Sequence, residues 1–60
     1  MYYVVTVDIE VSEGINAEIF TEEFSGIKHM YREQARQEIV DALSDPIYAG
    51  YCFDIKEVEV

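Results

Sequence analysis

Six carboxylates, Asp8, Glu10, Glu13, Glu18, Glu22 and Asp54, punctuate stretches in which apolar residues alternate with polar ones. Carboxylates gathered on one surface have two chemical uses. They can hold a hard cation such as Mg²⁺ or Ca²⁺, which takes about six or more oxygen ligands. They can also stand in for nucleic-acid phosphates and occupy a basic groove on another protein. The strand pairing argued below puts Glu18, Asp8 and Asp54 in one cross-strand row. Such a row repels itself, and no loop supplies the remaining oxygens. A solvated acidic stripe is therefore expected, with no metal.

The other reactive side chains give less. His29 is the only histidine, and the sequence sets no nucleophile or carboxylate beside it, so no catalytic role is expected. Cys52 is the only cysteine, which rules out an internal disulfide and suits a reducing, cytoplasmic setting. The same pairing places it opposite Glu10, where a negative neighbour disfavours the thiolate. Lys28, Arg32 and Arg36 fall at i, i+4 and i+8, which reads as an ordinary wet helix face. There is no glycine-rich phosphate loop, no nucleophile elbow and no cofactor motif. The chain reads as non-enzymatic.

These residues must be positioned by a small fold. A chain of 60 residues is expected to form one domain, and it buries only about 60% of the surface that its unfolded form exposes. Lacking a disulfide or a metal, such a domain is expected to gain stability by oligomerising or by binding a partner. The 13 acids against 4 bases give a formal charge of −9, which argues against direct contact with nucleic acid or an anionic membrane. No apolar run approaches the length of a membrane span, and no signal peptide is expected.

Tyr3, Val5, Val7, Ile9 and Val11 alternate with Thr6, Asp8 and Glu10, the pattern of a half-buried strand. Ser12 to Gly14 reads as a turn. Ile15 to Phe24 reads as a second strand, with Ile15, Ala17 and Ile19 on one parity and Phe20 and Phe24 on the other. From Ile27 to Ser44 the apolar residues recur at helical spacing, with Ser25 as a candidate cap and Asp45-Pro46 as a stop. A last strand is expected over residues 51–60. The order predicts an α+β fold: a two-layer β-β-α-β domain whose three-stranded antiparallel sheet runs 2-1-3 with one helix on one face.

Placing Val11 opposite Ile15 and Val7 opposite Ile55 puts Ile9, Ala17 and Phe53 beneath the helix, facing Ala35, Ile39 and Leu43. The outer face then carries Tyr2, Val4, Phe20, Phe24, Val58 and Val60 at one end and the carboxylates at the other. A bulge near Lys56 would return the two valines to the core. Without one, the apolar end is an exposed patch of the kind that marks an interface. Burying four such side chains contributes on the order of 6 kcal/mol before association costs. A homodimer through the sheet face, or a partner docked there, is expected.

The function expected from these features is an acidic protein-binding module, most concretely a phosphate-mimicking inhibitor of a nucleic-acid-binding protein. Asp8, Glu10, Glu13, Glu18, Glu22 and Asp54 would meet the basic surface. Small phage-type inhibitors of restriction, CRISPR or repair enzymes act this way as a class; the parallel rests on size and charge alone. The alternative is a small homodimeric accessory or regulatory protein whose acidity serves solubility only.

Overall fold

Tyr2–Glu13 forms one long strand, β1, in the computed structural model, which describes residues 1–60. β-branched and aromatic residues fill its first half, as a pleated, half-buried surface favours. Gly14 and Ile15 close a two-residue loop into β2 (Asn16–Glu23). The backbone has positive φ at Gly14 (62°) and not at Ile15, the pattern of a type II′ turn, whose twist suits a tight hairpin.

β3 (Cys52–Val58) pairs antiparallel on the other side of β1, giving the order β2-β1-β3. The expected architecture, an α+β fold with a three-stranded antiparallel sheet and one helix, is the one observed. Its β1–β3 register places Val7 opposite Phe53 and Val5 opposite Ile55, two residues from the expected pairing, so both strands keep their expected faces. Pairing runs unbroken from Tyr2–Val58 to Asp8–Cys52, so β3 has no bulge.

The β1–β2 register differs in kind. Val11 lies opposite Glu18 and Ile9 opposite Phe20, a shift of three from the expected pairing. The loop is two residues long where three were expected and lies nearer β2. An odd shift turns every β2 side chain to the opposite face.

The helix α1 spans Arg32–Leu43, so the expectation of a helix from Ile27 is corrected. Residues 27–31 instead carry the chain past the start of β1. There His29 and Tyr3 exchange two backbone hydrogen bonds of 2.8 Å. A helix over these residues would leave the Tyr3 N–H and C=O without partners on that side. Ser25 does not cap the helix either; its hydroxyl accepts from the Ile27 N–H and donates to Glu38. Gln34 supplies the cap function, its Oε1 accepting from the N–H groups of Met30 and Tyr31. Asp45 and Pro46 stop the helix as expected. Asp45 Oδ1 takes the Ile47 N–H, and Pro46–Tyr48 makes a single 3-10 turn.

His29 pairs with Tyr3 and so shares its face, and its imidazole meets Glu38 of α1. The helix therefore covers the face carrying Tyr3, Val5, Val7 and Ile9. Ala35 and Ala42 are buried there, with Ile39 half-buried between them, whereas Leu43, expected in the core, is exposed. Phe24 closes one side of this core. Its ring meets Phe53 and Tyr48 edge-on, each at 5.1 Å.

Helix cover stops short of the hairpin tip. Buried residues of the sheet are confined to Val4–Val7, and every residue of β2 is exposed. The molecule measures 41 × 28 × 13 Å, with a radius of gyration of 12.9 Å where about 10 Å is usual for this length. Past Asp8, β1 has only β2 beside it. The hairpin thus projects as a two-stranded arm.

Candidate functional site

The arm, residues 8–23, holds six carboxylates and no cation: Asp8, Glu10, Glu13, Glu18, Glu22 and Glu23. It also exposes Val11, Ile15, Ile19 and Phe20. None of its acids is ion-paired; the one ion pair in the molecule joins His29 to Glu38.

The register divides the expected acidic set between two faces. Asp8, Glu10 and Asp54 lie on the outer face, away from α1. Glu13, Glu18 and Glu22 lie on the helix side, opposite Asn16, Val11 and Val7. The row Glu18-Asp8-Asp54 does not form. Asp8 stands between Thr21 and Cys52, and its Oδ1 accepts a 2.8 Å hydrogen bond from the Thr21 hydroxyl. Cys52, expected opposite Glu10, is exposed and faces Asp8. Asp54 Oδ1 accepts from the Ile55 N–H at 2.8 Å. Glu23 was missed from the sequence. It lies opposite Thr6, in the same outer row as Asp54, and only the observed register shows this.

The expected apolar patch does not assemble. Tyr2, Val4 and Val58 do share the outer face, but Phe20 and Phe24 turn to the helix side, and Val60 lies beyond the end of β3. Val4 is only 1% exposed, so it offers no contact area. Tyr2 carries the Lys28 ammonium over its ring at 5.2 Å, which also removes Lys28 from the expected helical stripe. Phe20 remains accessible, on the arm, at 48% exposure.

Two open depressions flank the arm. One, about 330 Å³, lies on the helix side among Val11, Glu13, Asn16, Glu18 and Phe20. The other, about 350 Å³, lies where β3 begins, with Asp8, Glu10, Ile19 and Tyr51 in its wall. Each mixes carboxylates with apolar surface, which suits side chains that are cationic at the tip and apolar along the stem.

One cluster has the residue types of a catalytic trio. Ser25 Oγ donates to Glu38 Oε2 at 2.7 Å, and His29 Nε2 meets Glu38 Oε1 at 2.5 Å. The order is wrong for nucleophile activation, since the imidazole must contact the hydroxyl to take its proton. Here the carboxylate sits between them and ties the 25–29 segment to α1. No local pattern signals this clamp, because the partners are nine and thirteen residues apart.

No family model, curated protein or solved structure matches the chain. No helix is long and apolar enough to cross a membrane.

Proposed function

We propose that this is a non-enzymatic, acidic protein-binding module whose hairpin arm occupies the basic groove of a nucleic-acid-binding protein. The observation that carries this reading is the arm itself: six carboxylates without a cation, on a projection that buries little of its own apolar surface. Carboxylates on both faces would meet both walls of a groove. Association with such a groove releases the counterions that nucleic acid would otherwise displace. The apolar residues Val11, Ile19 and Phe20 would add contact area that tolerates salt.

The exposed surface supports an interaction role. It is 4815 Å², against about 4,000 Å² for a compact monomer of this mass. The excess is about what one partner contributes to a standard interface. The same excess favours the second reading, a homodimeric accessory protein, and the two part company over salt and competition.

The test is binding to purified basic DNA-binding enzymes, with duplex DNA as competitor. Phosphate mimicry requires exclusion of DNA, and affinity that falls steeply between 50 and 200 mM salt, by about tenfold or more. It also requires loss of binding when Asp8, Glu10, Glu13, Glu18 and Glu22 are changed to their amides. Simultaneous binding of DNA and this protein to one enzyme would refute it.

A further inference from the structure

Three strand edges end the sheet, and they differ in cover. Phe24 donates its N–H to Val5 C=O, which makes that pair a hydrogen-bonded one. Alternation along the ladder then turns the N–H and C=O groups of Glu18, Phe20 and Glu22 toward β1. Those of Ala17, Ile19, Thr21 and Glu23 point away, and no backbone partner meets them. The outer edge of β3 is blunted at its middle, because the outward N–H of Ile55 is taken by its neighbour Asp54. The third edge, on β1 past Asp8, leaves only Glu10 and Ser12 with outward groups. β2 therefore offers the long open edge, eight residues with nothing over it.

We infer that β2 is a docking strand, and that its occupant is an extended segment of the partner with basic side chains on either side of an apolar pair, added as a fourth strand. The inference rests on the binding function proposed above and specifies how the partner engages. An added strand takes its affinity from main-chain hydrogen bonds and its specificity from side chains on alternate faces. On the helix side of β2 it meets Glu18, Phe20 and Glu22; on the outer side, Ile19, Thr21 and Glu23. Cations opposite Glu18, Glu22 and Glu23, apolar groups opposite Ile19 and Phe20 and a hydroxyl opposite Thr21 match all six.

Charge separates this occupant from a second copy. Antiparallel self-pairing that keeps equivalent faces together must centre on a single residue. Centred on Phe20, it sets Glu18 directly opposite Glu22 of the other copy. Centred on Ile19, it leaves Glu18 and its counterpart diagonal neighbours about 7–8 Å apart. That is no more than the Debye length of about 8 Å at 0.15 M salt, so the repulsion is only partly screened. Neither copy brings a cation to the strip.

The test uses the synthetic peptide Lys-Lys-Thr-Val-Val-Lys-Thr, which pairs antiparallel in that order from Glu23 to Ala17, as probe and amide hydrogen exchange as readout. In the free protein, Ala17, Ile19, Thr21 and Glu23 should exchange fast, and Glu18, Phe20 and Glu22 slowly. Saturating probe should slow the first four at least about tenfold. A chemically synthesised chain with an N-methyl group on Ile19 keeps its side chain and charge but loses one outward N–H. It should bind the probe about tenfold more weakly while showing an unchanged circular dichroism spectrum. Salt-sensitive binding without protection at these four amides overturns strand addition and leaves the acidic-module reading standing. Failure to bind either this probe or polylysine at low salt overturns both. Protection that appears without probe and grows with protein concentration assigns the edge to a second copy and overturns the basic occupant.

Discussion

Glu13 lies directly opposite Asn16, with Gly14 and Ile15 alone between them. This pair closes the arm, and its geometry depends on the positive φ of Gly14. A Cβ at that position would touch nothing within 4 Å, so the cost of replacing Gly14 is one of dihedral angle only. Gly14→Ala is expected to destabilise by about 1–2 kcal/mol. The D-alanine analogue fits the same dihedral and restricts the unfolded chain, so it should stabilise by about 0.4–1 kcal/mol. Denaturant titration of the two chains checks this, and equal effects of both would show that the loop does not hold this turn.

Glu38 is the only residue of α1 whose side chain grips the 25–29 segment, through both Ser25 and His29. Their ring and carboxylate are largely buried, at 13% and 14% side-chain exposure. Glu38→Ala leaves both partners without their acceptor and should cost about 1–3 kcal/mol. Affinity for a basic partner should not change beyond what the lost stability explains, because the clamp lies at the far end of β1 from the arm. A variant with wild-type stability would show that the clamp is not formed in solution.

The fold was legible because Tyr3, Val5 and Val7 alternate over a buried face, and burial makes periodicity informative. β3 kept its expected faces for the same reason, with Phe53 and Ile55 on the core side and Val58 opposite. β2 misled because nothing covers it. Ile19 and Phe20 face opposite ways and both are exposed, so its apolar pattern marks no inner face. The cue that would have fixed its register was Gly14 leading a two-residue loop, a local signal outweighed by the apparent match of Val11 with Ile15. The acidic character of the site was readable from composition. Its division between two faces was not, because it turns on a three-residue difference in pairing.

Unpaired charge on a small body should make stability depend on salt. With a formal charge of −9 and a single ion pair, self-repulsion opposes the folded state. The Debye length falls from about 30 Å at 0.01 M salt to about 8 Å at 0.15 M, so added salt should raise the Tm. Glu22→Gln should raise the Tm at 10 mM NaCl by about 1–3 °C, from a few tenths of a kcal/mol of relieved repulsion. The gain should shrink at 500 mM. A Tm that falls on adding salt would mean that attractive pairs dominate this surface.

Val4 sits on the outer face, with Lys56 opposite on β3 and Tyr2 and Thr6 flanking it on β1. Its exposure is 1%, although α1 lies on the other face of the sheet. Val4→Asp is therefore a test of folding and not of association. An aspartate there loses its hydration, and its cost should exceed about 3 kcal/mol unless the Lys56 ammonium reaches it. A domain of this length has about 3–9 kcal/mol in all, so much of the population should unfold. Val11→Asp, on the exposed arm opposite Glu18, should cost about 1 kcal/mol through lost strand propensity and like-charge repulsion, and leave the chain folded. Far-ultraviolet circular dichroism on the two variants decides the matter. A folded Val4→Asp with unchanged Tm would mean that this face is open to solvent, and would return Val4 to the candidate docking surface.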